Sequence, residues 1–202
     1  MQIVECEQNS EEWLRARMGI PTASAFSQLL AKGEGKTRRT YMLKLAGEII
    51  TGEPAKSFSS EETERGHEWE PEARDLYAFE TGADLHRVGF VRNGRKGCSP
   101  DSLIGENGGL EIKTAEPHIV IDIMLKDEFP SKHVAQVQGT LWVTGREWWD
   151  LLIYSRNMPP FIKRAHRDER YIQSLATEVD RFNAELDAVV SQIRKSGERV
   201  AA

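Results

Sequence analysis

The sequence predicts one α/β domain over residues 1–202, with a central mixed β-sheet flanked by helices. Three observations carry this. Helical stripes and short apolar runs of strand length alternate along the chain. The stretch from residue 86 to 114 is cut into strand-sized pieces by glycine turns. No repeat, low-complexity tract or Pro/Ser-rich linker divides the 202 residues, and with 39% apolar and 29% charged positions they can bury one sizeable core.

Taken in order, Ser10 precedes Glu11 and Glu12, acids that suit a helix N-terminus, so a short helix runs to Met18 before Gly19 and Pro21 break it. Thr22 or Ser24 can cap another. Lys32 to Arg39, carrying Lys32, Lys36, Arg38 and Arg39 beside two glycines and one acid, reads as an exposed basic loop before a helix from about Thr40 to Ile50. Helix formers dominate Glu61 to Glu80, where Trp69, Ala73, Leu76 and Tyr77 form one buried stripe bordered by Glu70.

Strands are predicted at His86–Arg92, Leu103–Ile104 and Leu110–Thr114, separated by turns at Gly94–Gly97 and Gly105–Gly109. Helical spacing returns in Ile119–Lys126 and His133–Val143, and the dense apolar run Trp148–Tyr154 has strand length. Ile172, Leu175, Val179, Phe182, Leu186, Val189 and Ile193 then recur in steps of three and four, which makes Tyr171–Ile193 a long amphipathic helix.

Composition narrows the function classes. Two cysteines, Cys6 and Cys98, are too few for a disulfide framework or a thiolate metal site, which fits a reducing, intracellular setting. The most apolar run, Ile119–Leu125, is broken by Asp122 and far too short to cross a bilayer, so a soluble protein without membrane contact is expected. The formal net charge of -5 speaks against binding nucleic acid through bulk positive charge, so any such contact must be local. It does not exclude a nuclease, whose carboxylates need divalent cations that in turn neutralise phosphate.

The informative stretch is Ser99-Pro100-Asp101, nine residues, then Glu111-Ile112-Lys113. Pro100 and the glycine-rich turn make Asp101 and Glu111 neighbours on adjoining strands. Residues two apart in a strand share a face, so Glu111 and Lys113 point the same way while Ile112 points into the core. Hard cations such as Mg²⁺ prefer oxygen ligands, and two converging carboxylates with a strand carbonyl, that of Ile112, suit them. A lysine ammonium beside such a site can orient the attacking water and counter charge on phosphorus. Leu110 and Ile112 are buried-strand types, and an acid and a base on one face of such a strand are costly unless partnered.

These residues resemble the lambda-type exonuclease family (YqaJ-type viral recombinases), a branch of the PD-(D/E)xK nucleases with a restriction-endonuclease-like core. Ser99-Pro100-Asp101-Ser102, Leu110-Glu111-Ile112-Lys113 and Ala135-Gln136-Val137-Gln138 match its central motifs in order. Arg17 to Ser24 looks like its phosphate-contacting segment, and Gly66 to Arg74 like its helix bearing an active-site acid. The resemblance implies Asp101, Glu111 and the Ile112 carbonyl as metal ligands, Glu70 supporting the metal, Lys113 assisting the attacking water and Gln138 beside the chemistry. It implies Arg17, Ser24 and Ser99 as holders of the 5′-terminal phosphate. Mg²⁺, or Mn²⁺, with two ions per site, is the implied cofactor. The implied activity is 5′-to-3′ digestion of one strand of linear duplex DNA to 5′-mononucleotides, leaving 3′ overhangs for annealing. A ring-shaped homotrimer, a single-strand annealing protein as partner, and a bacterial cytoplasm with a phage or prophage gene complete the implied setting.

Plainer readings stand beside these. Glu70 can pair with Arg74 at i+4 as ordinary helix charge. Gln138 can be a semi-buried amide needing a partner, since Val134, Leu141 and Trp142 share its face. Lys36, Arg38 and Arg39 are candidate DNA contacts or simply solvated charge, Arg38 and Arg39 being the better candidates. His67, His118 and His133 are assigned to no metal, and the C-terminal stripe is core packing before it is an oligomer contact. An endonuclease with the same metal core, or a catalytically silent DNA-binding phage protein, are the alternative functions.

Overall fold

In a computed structural model, residues 1–30, 36–55 and 61–200 are described, the side chains of 61–64, 67 and 198–200 excepted. Among the described residues eight strands form two sheets. The larger has the order β2 (Leu85–His86), β5 (Ser102–Ile104), β6 (Gly108–Thr114), β7 (Trp148–Tyr154), β8 (Phe161–His166). Its neighbours are antiparallel except β6 and β7, which run parallel and register Glu111 with Leu151 and Lys113 with Ile153. The smaller is antiparallel, in the order β1 (Gln2–Val4), β3 (Phe90–Asn93), β4 (Lys96–Cys98).

A parallel pair needs a crossover, and α5 (Pro117–Lys126) and α6 (Ser131–Thr144) supply it between β6 and β7. Pro117 starts α5 at a position where its missing N–H costs nothing, and Gly145, at φ 69°, ends α6 in the left-handed conformation.

The sheet buries both faces. Leu110 and Ile112 of β6 pack with Leu152 and Tyr154 of β7 against Ala73 and Tyr77 of α4 (Glu61–Thr81). Leu151, Ile153 and Phe161 pack with Val120 of α5. A further core joins α2 (Phe26–Leu30), α3 (Lys36–Thr51), α6 and α7 (Glu169–Val200), with Phe26, Leu45, Leu141, Trp149, Leu175 and Phe182 at its centre. The predicted C-terminal stripe is core packing: Ile172, Leu175, Val179, Phe182 and Leu186 are buried, whereas Ile193 is half exposed.

Several elements differ from the sequence reading. Lys36, Arg38 and Arg39 belong to α3, which packs against α7 from Arg38 onward; residues 32–35 of the basic run lie outside the described residues. The run His86–Arg92 is two strands in different sheets, because Gly89 lies against Cys6, whose Sγ is 2.3 Å from where a Cβ would sit. Gly108 and Gly109 are strand rather than turn, since the Trp148 and Trp149 rings lie where their Cβ atoms would be. Strands β1, β4 and β8 were not anticipated. The Ser10 cap holds, with Ser10 Oγ accepting from Trp13 N–H at 3.2 Å at the start of α1 (Glu11–Arg17).

Candidate active site

Strand β6 is the platform. Alternation turns Glu111 and Lys113 to the face opposite Ile112, and Lys113 Nζ lies 2.6 Å from Glu111 Oε1. Glu111 is 3% exposed. Strand β5 begins one residue after Asp101, so Ile112 N–H is free of strand pairing there and donates to Asp101 Oδ2 at 2.5 Å. The predicted convergence of Asp101, Glu111 and Lys113 is therefore present.

Burial, then the charges of Glu111 and Glu70, push the Asp101 carboxyl well above the usual aspartate range, against the opposing pull of Lys113 and the Ile112 N–H. For Lys113, burial lowers its pKa, but Glu111 and Asp101 outweigh that and raise it, so it stands as an ammonium ion. Acid charge confined in a buried cluster is a setting that a hard divalent cation relieves, and the donors are oxygens. The oxygen donors of Asp101, Glu111 and the Ile112 carbonyl are of the chemical kind that Mg²⁺ or Mn²⁺ takes. Among the described residues no three His, Cys, Asp or Glu side chains form a ready metal cluster. Glu70 pairs with Arg74 and lines the same cavity as Asp101 and Glu111. Arg74 is 8% exposed and also donates to Ser102 Oγ at 3.2 Å and to Asp101 O at 3.3 Å, so it ties Glu70 to the Asp101 loop, while the Glu70 charge itself acts on Asp101.

The residues expected to hold phosphate are brought to the same place. Arg17 ends α1 with its guanidinium 4.1 Å from the centre of the Trp13 ring, and Trp13 Nε1–H donates to Ser99 Oγ at 2.8 Å. Ser24, in a 3-10 turn over Ala23–Ala25, places Oγ 3.3 Å from Thr22 Oγ1. Arg17, Ser24, Ser99, Glu70, Asp101, Glu111, Ile112 and Lys113 all line one cavity of about 480 Å³.

Two expectations are corrected. Gln138 is buried away from the chemistry: its Nε2 donates to His166 O at 2.8 Å and its Oε1 accepts from Asp168 N–H at 2.9 Å, tying α6 to the start of α7. Gln136 takes the place at the site, donating from Nε2 to Glu111 Oε1 at 2.5 Å and lining the cavity. Two residues apart on a helix means opposite sides, and Thr140, one turn from Gln136, lines the cavity too; that i,i+4 pairing was the available signal. Arg38 pairs with Glu185 of α7 at 2.6 Å, its guanidinium 5.3 Å from the Phe182 ring centre, so it clamps two helices rather than facing DNA. Lys36 and Arg39 are exposed. Trp13 was not singled out at all.

Solved structures of similar shape include LHK-Exo, an alkaline exonuclease from Laribacter hongkongensis, at TM-score 0.86 and 31% identity over 95% of this chain and 100% of that one. LHK-Exo in complex with dAMP matches at TM-score 0.87 and 32% identity, with the same coverage. A phage-related exonuclease from Haemophilus somnus 129PT shares the fold at TM-score 0.66 and 14% identity, over 86% of this chain and 96% of that one. No curated protein matches. Fold and site together define a nuclease of the alkaline exonuclease type. The profile of the YqaJ-like viral recombinase domain matches residues 12–147, and the chain belongs to that family. No helix among the described residues is long and apolar enough to cross a membrane.

Proposed function

We propose that this protein degrades one strand of linear double-stranded DNA from its 5′ end, with Mg²⁺ or Mn²⁺, releasing 5′-mononucleotides and leaving 3′ overhangs for single-strand annealing. The observation that carries this is the sharing of one cavity by the Asp101–Glu111–Lys113 cluster and the Arg17–Ser24–Ser99 donors. Phosphodiester chemistry and a terminal-phosphate holder in one chamber favour end-directed over internal cleavage. LHK-Exo, which binds dAMP, a 5′-mononucleotide, supports the same product class.

Two divalent ions, held by Asp101, Glu111 and the Ile112 carbonyl, would supply a more acidic water and counter-charge for phosphate. Lys113 places its ammonium over the reacting phosphate and offsets charge that develops there. Gln136 and Lys113 fix the Glu111 carboxylate, and Arg74 fixes Glu70 and the Asp101 backbone. Arg17, Ser24 and Ser99 grip the terminal phosphate and so set 5′ polarity. The exposed Lys36 and Arg39 would meet the DNA backbone. A ring-shaped homotrimer around duplex DNA, a single-strand annealing partner, and a phage or prophage gene acting in the bacterial cytoplasm belong to the same proposal.

The test is digestion of linear duplexes phosphorylated at the 5′ or the 3′ end, with Mg²⁺, Mn²⁺ or EDTA, beside closed circular DNA. Mononucleotides released from the 5′-phosphorylated ends, abolished by EDTA and by Lys113→Ala, support the proposal. Cleavage of circles replaces it with an endonuclease, and binding without cleavage replaces it with a silent DNA-binding protein.

A further inference from the structure

The wall made by Arg17, Thr22 and Ser24 has a second cavity behind it, of about 530 Å³. Thr37, Thr40, Tyr41 and Lys44 line its other side; they are spaced by three and four along α3, so one face of that helix looks into it. Among the described lining residues the charged ones are both cations, Arg17 and Lys44, in a chain of net charge -5. Glu48, one turn beyond Lys44, is engaged elsewhere: its carboxylate accepts from Gly19 N–H at 2.8 Å and Ala55 N–H at 3.1 Å. The Tyr41 hydroxyl accepts from Thr22 N–H at 3.1 Å, which leaves its own proton for an anion.

We propose that this cavity is a second phosphate subsite, lying 5′-ward of the terminal phosphate, and that it receives the outer phosphates of a 5′-triphosphorylated strand end. The proposal rests on the assignment of the terminal 5′-phosphate to Arg17, Ser24 and Ser99. A phosphate held on Arg17 continues in two directions: through its sugar toward the carboxylate cluster, and through anything attached 5′ of it toward Lys44. The lining favours phosphates over an overhanging nucleotide. Tyr41 already stacks on Phe182, with ring centres 5.7 Å apart, and the other described lining residues present no aromatic face on which a base could stack.

Equilibrium binding of linear duplexes that differ only in a 5′-hydroxyl, 5′-monophosphate or 5′-triphosphate end tests this, with Ca²⁺ replacing Mg²⁺ to hold back cleavage. The native chain is expected to bind the triphosphate end about tenfold more tightly than the monophosphate end, the scale of one charge-assisted contact. In Lys44→Ala that ratio falls toward one, and in Lys44→Glu it inverts. Equal affinity of the native chain for triphosphate and monophosphate ends overturns the subsite, as does a preference that survives Lys44→Glu. A hydroxyl end bound as tightly as a monophosphate end removes instead the 5′-phosphate assignment beneath it.

Discussion

Gln136 Nε2 donates to Glu111 Oε1 at 2.5 Å, holding from α6 the same carboxylate oxygen that Lys113 Nζ approaches at 2.6 Å along β6. The buried acid is therefore fixed from two independent elements, and the paired glutamines of α6 separate into one that serves the site and one that serves the fold.

That separation has a direct test. Gln136→Ala is expected to lower kcat about tenfold or more with little change in thermal stability, because it removes a positioning contact beside an open cavity. Gln138→Ala is expected to do the reverse, costing about 1–3 kcal/mol by stranding the Asp168 N–H and the His166 carbonyl. Steady-state digestion and denaturant unfolding of both variants decide it; equal effects would contradict the division.

Lys113→Ala and Glu111→Gln are each expected to reduce digestion of linear duplex DNA by at least about a hundredfold. Circular dichroism should show the fold retained. A variant that keeps more than a tenth of native activity would mean that the pair is structural charge.

Arg38 and Arg39 are adjacent in sequence and opposite in role. Arg38→Ala loses the Glu185 bridge and the Phe182 contact and lowers stability by about 1 kcal/mol or more, with little change in the salt dependence of DNA binding. Arg39→Ala leaves stability alone and reduces the salt slope by about one. Affinity titrations over a range of salt concentrations distinguish the two.

Gly109→Ala is expected to destabilise the chain by about 1–3 kcal/mol, because its Cβ would lie 2.2 Å from the Trp149 ring in the strand that carries Glu111. Urea unfolding measures it, and an unchanged midpoint would mean that the strand can shift to admit the methyl group.

His133, at the start of α6, is half-buried and held down to about 4 by burial, then by Lys113 and Lys132, from an ordinary value of 6.5. Its folded-state pKa is depressed, so the unfolded chain takes up the proton first. Stability attached to neutral His133 is complete above pH 6.5 and is lost as pH falls toward about 4. Replacing it in His133→Gln should flatten the fall in melting temperature across that window; an unchanged slope would assign the acid sensitivity to other groups.

The sequence by itself determined the mixed α/β class, the helices, the pleat of β6 and hence the shared face of Glu111 and Lys113. Each is a local property: a period of two or of 3.6 residues, a cap at Ser10, a glycine turn. The short strands β1 and β4, and β8 with its polar Lys163 and Arg164, carried too little apolar pattern to be seen. Only the tertiary structure decided that Gln136 rather than Gln138 meets Glu111, that Arg38 answers Glu185, and that Trp13 orients Ser99. Those outcomes depend on how a helix is rotated against the sheet and on contacts dozens of residues apart, which no local periodicity encodes.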